Sequence, residues 1–205
     1  MKQCIDRESN SQFGIIFWQP NGLPEFGLEQ LKAELANKRK FDYLFFWGHQ
    51  VEKRITKSCF SQWWKVFFLV DGNEYCCMEQ YMMAEKARLF KGDRVRRQVL
   101  KETDPKTIKR LGREVHNFVQ DIWDECKYSI VLNGNYAKFS QNEELLDFLL
   151  ATNNQVLVEA SPYDTIWGVG IDGTNPQINN PFFWKGQNLL GFALMEVRNK
   201  LIHQI

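Results

Sequence analysis

Glu79, Met83, Lys86 and Phe90 stand at i, i+4, i+7 and i+11 in a stretch with helical patterning, so one face carries a carboxylate and an amine. Two turns separate Glu79 from Lys86, roughly 10 Å at 1.5 Å per residue. That is too far for the two to pair directly, and it suits flanking a small ligand. The same spacing equally suits a helix whose charged residues rim an apolar contact. A second group, Tyr163-Asp164-Thr165-Ile166-Trp167-Gly168-Val169-Gly170, joins a carboxylate and an indole to two glycines that permit close backbone approach. A purely structural loop plugged by Trp167 has the same composition. Trp184-Lys185-Gly186-Gln187-Asn188 opens a predicted helix, whose unpaired N–H groups can receive an anion such as phosphate. Lys57-Ser58-Cys59-Phe60-Ser61-Gln62-Trp63-Trp64 collects polar side chains and two indoles after a strand, although Lys57 also fits as an ordinary exposed lysine.

Other chemistries lose their usual signatures. His49, His116 and His203 lack metal-ligand spacing with one another or with cysteine, so no bound metal and no cofactor is expected. The five cysteines, Cys4, Cys59, Cys76, Cys77 and Cys126, form no CxxC pair, and adjacent Cys76 and Cys77 suit neither a disulfide framework nor a zinc knuckle. A reducing, cytoplasmic compartment fits that pattern. Cys59 or Cys76 as a nucleophile has no local histidine-partnered signature, and buried structural thiols are the expectation. No Walker loop, GxGxxG or Gly-x-Ser-x-Gly elbow occurs, which removes the marks of phosphoryl transfer, hydride transfer and serine hydrolysis.

The elements that must position these groups are predicted as follows. An apolar stretch at Phe13 to Trp18 and a turn-rich Gln19 to Pro24 lead into a helix with Leu28, Leu31 and Leu35 on one stripe. Tyr43 to Trp47 reads as a buried strand ended by Gly48, and Val66 to Val70 meets Tyr75 and Cys76 across the hairpin turn Asp71-Gly72-Asn73. Helices are predicted from Met78, after a cap at Asp93, after Asp104-Pro105, from about Phe118 to Phe139 and from about Glu143 to Ala151. A strand at Gln155 to Glu159 precedes an irregular, aromatic-rich segment from Ser161 to Gly186, then a last helix from about Asn188 to Leu201. Loops of that length in compact domains are often functional.

The bulk composition sets outer bounds. With 44% hydrophobic and 25% charged residues, the 205-residue chain is that of an ordinary globular protein with one main core. No apolar run of about 18 residues occurs and the first ten residues are polar, so neither a membrane span nor a secretory signal is expected. A formal charge of +1 provides no global field for nucleic acid, which confines any such contact to a local patch. Sixteen Phe and seven Trp are first of all core-filling residues.

From about residue 43 onward the sequence resembles the NADAR (YbiA-like) family. The resemblance is carried by Phe45-Phe46-Trp47-Gly48-His49, Lys57 to Trp64, and Tyr75 to Ala87, followed by Leu111-Gly112-Arg113 and Trp123-Asp124. It continues in Ser161-Pro162-Tyr163-Asp164 with Trp167-Gly168-Val169-Gly170, and in Asn188-Leu189-Leu190-Gly191 running into Leu194 to Arg198. It implies an α+β fold, mostly helical with a few short strands, as one domain over residues 41–205 behind an N-terminal extension of residues 1–40. It implies an N-glycosidase acting on a ribosyl nucleotide, with two branches: removal of ADP-ribose from guanine, and cleavage of ribosylamino intermediates of riboflavin synthesis. The Phe-Trp-Gly-His and Lys-x-Cys-x-Ser-Gln-Trp pieces look more like the first branch. That branch makes DNA or RNA carrying modified guanine a partner, and gives the protein a role as antidote to an ADP-ribosyltransferase toxin. A non-catalytic reader of ADP-ribose or NAD is the alternative outside enzymes, and residues 1–40 are a candidate site for a protein partner.

On this resemblance Glu79, Asp164, Lys57 and Lys86 are the candidate catalytic residues. Cleavage from ribose C1′ passes through an oxocarbenium-like state that a carboxylate stabilises, with Glu79 first choice and Asp164 the complementary acid/base. A desolvated lysine attacking the anomeric carbon is the other route, through Lys57 or Lys86. Trp47, Gly48, Ser61, Trp63, Trp167, Gly168, Trp184 and Asn188 are the candidate ligand-binding residues, with Trp47, Trp167 and Trp184 stacking on a base. The chain departs from the family in having Gln80, not histidine, after Glu79, and Gln187 where bacterial members often carry lysine.

Overall fold

The computed structural model describes residues 22–48 and 54–203. The predicted apolar stretch at Phe13 to Trp18, Gln19 to Asn21 of the turn after it, and His49 lie outside the described residues. Among those described are seven α-helices and four short strands. They fall into two compact units, one built mainly on residues 62–142 and the other on 23–61 with 143–205.

The first unit begins with a hairpin. Strands β1 (here Phe68–Val70) and β2 (Asn73–Tyr75) pair antiparallel with Phe68 opposite Tyr75. Asp71 and Gly72 both have positive φ, 50° and 73°, the backbone of a two-residue turn matched to strand twist. The open side of β1 is covered by one side chain: Gln141 receives the Leu69 N–H at 2.8 Å and donates to the Leu69 carbonyl at 2.8 Å. That satisfies an edge that would otherwise recruit another strand.

Helix α1 (Met78–Leu89) follows, buried on nearly every side from Met78 to Glu85. Helices α2 (Asp93–Lys101), α3 (Pro105–Gly112) and α4 (Gln120–Ser140) pack around it. Val95 and Val99 of α2, and Ile108 and Leu111 of α3, supply the inward stripes that hold them there. Asp104 caps α3 by accepting the Thr107 N–H at 2.9 Å with Pro105 at N1, as predicted. Asp93 is not a cap: Gly92 holds that position and Asp93 is the first helical residue, where its charge still complements the helix dipole.

The second unit holds helix α5 (Leu28–Ala36), strand β3 (Tyr43–Phe46), helix α6 (Glu143–Leu150), strand β4 (Val156–Glu159) and helix α7 (Leu189–Ile202). Strands β3 and β4 pair in parallel, Tyr43 opposite Val156 and Phe46 opposite Glu159. Two flanking bonds of 2.8 Å extend the ladder, Val156 N–H to the Asp42 carbonyl and Ala160 N–H to that of Phe46. The core combines Leu31 of α5 with Val156, Val158, Val169, Ile171 and Phe192, so residues on both sides of position 40 share it. Buried Arg198 ties α7 to the turn before β4, donating to the Thr152 hydroxyl at 2.7 Å and the Gln155 carbonyl at 3.0 Å. Burial lowers its pKa to about 10.

Candidate functional site

In the first unit, the first turn of α1 takes shape because the loop before it supplies what the helix start lacks. Cys77 is the N-cap, extended and without a side-chain cap bond. The Glu79 N–H, one of the donors with no partner inside the helix, is received by the Gln62 carbonyl at 2.8 Å. The Glu79 side chain is 2% exposed, and the Trp63 indole N–H donates to its Oε2 at 3.2 Å. A carboxylate in the first turn of a helix also gains from the dipole. Gln80, one position on, is committed elsewhere: its oxygen accepts the Cys76 N–H at 2.7 Å and its nitrogen donates to the carbonyls of Val99 at 3.0 Å and Glu102 at 2.8 Å. It fastens α1 to α2, a task an imidazole could not perform with the same three partners.

Lys86 lies two turns further along α1, half-buried. Its Nζ sits 4.3 Å from the centroid of Phe118 and 5.7 Å from that of Trp123. Burial holds its pKa below the ordinary lysine value, the like charge of Arg113 adds to this, and the charge of Glu79 acts in the opposite sense. Glu79 and Lys86 therefore feel each other without pairing. Arg113 is brought there by Gly112, where any Cβ would run into the side chain of Met83, so that the end of α3 lies flush against α1. Arg113, Phe118 and Trp123 were not among the predicted site residues. The signal was in the quoted Leu111-Gly112-Arg113 and Trp123-Asp124, which had no assigned task. A cleft of about 330 Å³ also opens in this unit, lined by Phe90, Arg94, Gln98, Glu114, His116 and their neighbours, and none of the predicted site residues lines it.

In the second unit the segment after β4 is organised by its own polar side chains. Asp164 Oδ1 accepts the N–H groups of Ile166 at 2.9 Å and Trp167 at 2.7 Å, and Ser161 Oγ accepts that of Asp164 at 3.2 Å. Asp164 is thus the hub of an Asx turn. Gly168 is required by close approach, because a Cβ would stand 2.8 Å from the Glu159 carbonyl oxygen. Trp167 is half-buried. Trp47 is 49% exposed and lies 6.2 Å, ring to ring, from Tyr163, followed by Gly48 at φ 77°. Ser61 is partly buried and its N–H bonds the Ser58 carbonyl at 3.0 Å.

Trp184, Asn188, the start of α7 and Lys57 take the following places in this unit. Trp184 is a core residue, 7% exposed, with its N–H bonded to the Ile178 carbonyl at 2.7 Å and its ring edge-on to Tyr43. Asn188 is fully buried, donating to the Leu157 carbonyl at 2.9 Å and accepting the Glu159 N–H at 3.0 Å, and so it joins β4 to α7. The start of α7 is not an anion site, because the N–H groups of Asn188, Leu189 and Leu190 are taken by the carbonyls of Gly168, Ile166 and Trp167. Lys57 stands exposed in a 3-10 turn capped by Thr56, without the desolvation a nucleophilic lysine needs, which Lys86 has in part.

The NADAR domain family matches residues 45–202, a span that takes in Glu79, Lys86 and Asp164. The chain belongs to the NADAR family. It is similar to N-glycosidase R617 of Acanthamoeba polyphaga mimivirus, 44% identical over 165 residues that cover 77% of this chain and 95% of that one. N-glycosidase YbiA of Escherichia coli strain K12 is 33% identical over 132 residues, 64% of this chain and 74% of that one. The NMR structure of E. coli YbiA matches with a TM-score of 0.64 at 27% identity, covering 81% of this chain and 89% of that one. The chloroplastic riboflavin biosynthesis protein PYRR of Zea mays is 32% identical over 102 residues, 48% of this chain and 15% of that protein. The NADAR resemblance and the α+β, mostly helical architecture expected from it both hold. No helix among the described residues is long and apolar enough to cross a membrane.

Proposed function

We propose that this N-glycosidase removes ADP-ribose from ADP-ribosylated guanine, using Glu79 as its carboxylate and Lys86 as its amine. The observation that carries the reading is that one helix bears both: a buried carboxylate held by an indole N–H, and a half-buried amine over two aromatic rings that feels the carboxylate's charge. Lys86 and Arg113 oppose each other as like charges, and an anionic nucleotide substrate relieves that repulsion.

The neutral Lys86 amine attacks ribose C1′. The bond from C1′ to the guanine nitrogen breaks, its electron pair stays on that nitrogen, and the nitrogen takes a proton. Opening of the sugar ring gives an iminium on Nζ, which water hydrolyses to free ADP-ribose and the amine. Glu79 stabilises positive charge at C1′ and moves protons, which fits a carboxylate kept near an amine of lowered pKa. Within the second unit, Asp164 shapes the loop that carries Trp167. In a cell exposed to a guanine-modifying ADP-ribosyltransferase toxin, the same reaction is the antidote.

Incubation with ADP-ribosylated guanosine is expected to release guanosine and ADP-ribose, read by mass spectrometry. Borohydride added during turnover is expected to leave the sugar on the peptide that contains Lys86. Release without any trapped lysine would remove the amine route and leave Glu79 to activate water. A second reading, cleavage of ribosylamino intermediates of riboflavin synthesis, draws on the similarity to the maize riboflavin protein. Product release from such an intermediate, and none from modified guanosine, would favour it.

A further inference from the structure

A formal charge of +1 leaves room only for a local polyanion contact, and the first unit holds a patch of the right sign. From Lys91 to Glu114 stand nine Lys or Arg against four Asp or Glu, in a chain whose totals are 26 and 25. Two helices orient that excess. Val95 and Val99 of α2, and Ile108 and Leu111 of α3, face the core. The outward stripe of α2 is therefore Arg94, Arg97 and Lys101, at i, i+3 and i+7. That of α3 is Lys106, Arg110 and, at its C-cap, Arg113, at i, i+4 and i+7. All six are exposed, and the two helices touch each other.

The carboxylates of the segment are largely committed. Glu102 Oε1 accepts the N–H groups of Thr103 at 2.8 Å and Asp104 at 3.0 Å. Asp104 Oδ2 accepts the Thr107 N–H at 2.9 Å and its hydroxyl at 2.8 Å. Glu114 pairs with Arg110 at 2.5 Å; the other five cations of the stripes have no ion-pair partner among the described residues. Asp93 remains, in the first turn of α2, where the helix dipole favours it. An ordinary solvated face intersperses both signs, whereas cations lined up along two packed helices are the footprint of a polyanion.

Two features point to which polyanion. A helix that lies on a membrane sinks an apolar face into the lipid, and the apolar faces of α2 and α3 are already used in the core. Beyond the end of the α3 stripe, Phe118 is 37% exposed, with the Lys86 amine 4.3 Å from its centroid and the Phe90 ring at 5.1 Å. Cations beside an accessible ring suit a strand whose phosphates need countercharge and whose bases stack.

We propose that the outward face of α2 and α3 grips the sugar-phosphate backbone of a single-stranded nucleic acid and leads it toward the Lys86 end of α1. A base must leave its stack before chemistry can reach it, which favours the single strand. Contacts to phosphate position the strand without reading its sequence. That the strand carries the modified guanine rests on the function proposed above; the grip on phosphates does not.

The test uses the full chain and fluorescence anisotropy with labelled, unmodified single-stranded DNA and RNA of one mixed sequence, over a series of salt concentrations. Binding is expected to weaken as salt rises, and the tighter of the two names the strand. Changing Arg94→Gln, Arg97→Gln and Lys101→Gln together removes three exposed charges, so the thermal midpoint should stay near wild type. Binding at about 0.1 M salt should fall by roughly tenfold to a hundredfold, and the slope of log affinity against log salt should shrink by about 2. Turnover of an ADP-ribosylated strand should fall with it, while ADP-ribosylated guanosine, which has no flanking phosphates to engage the stripes, is cleaved as before. No binding of either strand at low salt, or a slope unmoved by the triple change, overturns the proposal. Phosphatidylserine vesicles bound in place of both strands would give the face to a membrane and overturn it as well. Strand binding through these residues without cleavage of modified guanosine would sink the proposed reaction and leave this surface standing.

Discussion

Helix α1 and the segment from Ser161 to Asn188 use polar side chains in opposite ways. The helix satisfies most of its own backbone, so Glu79 and Lys86 are held by other side chains: an indole N–H in one case, two ring faces in the other. The irregular segment has no ladder of its own, and its polar side chains serve its main chain. Asp164 holds Ile166 and Trp167, Asp172 holds Thr174, Asn175 holds Gln177, Asn180 holds Phe182, and Asn188 bridges Leu157 and Glu159. Both regions are rich in residues that can do chemistry. A polar residue in irregular chain is first of all a substitute for secondary structure.

The contrast can be broken from either side. Glu79→Gln keeps an oxygen for the Trp63 N–H and removes the charge. Turnover is expected to fall by about 10² to 10⁴ in steady-state assays, with the thermal midpoint close to wild type; near-normal turnover would take Glu79 out of the mechanism. Asn188→Ala strips two bonds from fully buried backbone and places alanine at φ 54°. It should lower stability by about 3 kcal/mol in urea titration while the folded fraction keeps its kcat. If activity per folded molecule fell instead, Asn188 would belong with the ligand after all.

The smallest effect sharpens the picture around Lys86. Burial and Arg113 lower the amine's pKa, so more of it is neutral at a given pH, and turnover should rise as pH climbs through that pKa. Arg113→Met removes the like charge and raises the pKa towards the ordinary value. The rising limb of the pH profile should then move to higher pH and the neutral-pH rate should drop. An unmoved limb would mean that the amine does not titrate in turnover.

Local patterns foretold what local physics decides. The Asp71-Gly72 turn, the Asp104-Pro105 start of α3 and the face shared by Glu79, Met83 and Lys86 depend on neighbours within a few positions, and all were legible in the sequence. The miss at Asp93 was local too, because glycine and aspartate both suit an N-cap and adjacent positions competed. The burial of Trp184 and Asn188 was not legible for another reason. The partners of Asn188 lie 29 and 31 positions away, and no periodicity shows that both ends of its amide are taken. Trp63 was foreseen as a ligand contact, but its bond to a carboxylate 16 positions on was not.

The pairing of Tyr43–Phe46 with Val156–Glu159 joins two stretches of chain, with residues 62–142 emerging between them as a unit with its own contacts. During synthesis the inserted segment is made before the later strand. The parallel pair must wait until Val156–Glu159 has been made, closing a long loop at an entropic cost that grows only slowly with length. Bringing Tyr43–Phe46 to Val156–Glu159 is therefore the contact of longest sequence range among the strands, set against the hairpin's closure within a few residues.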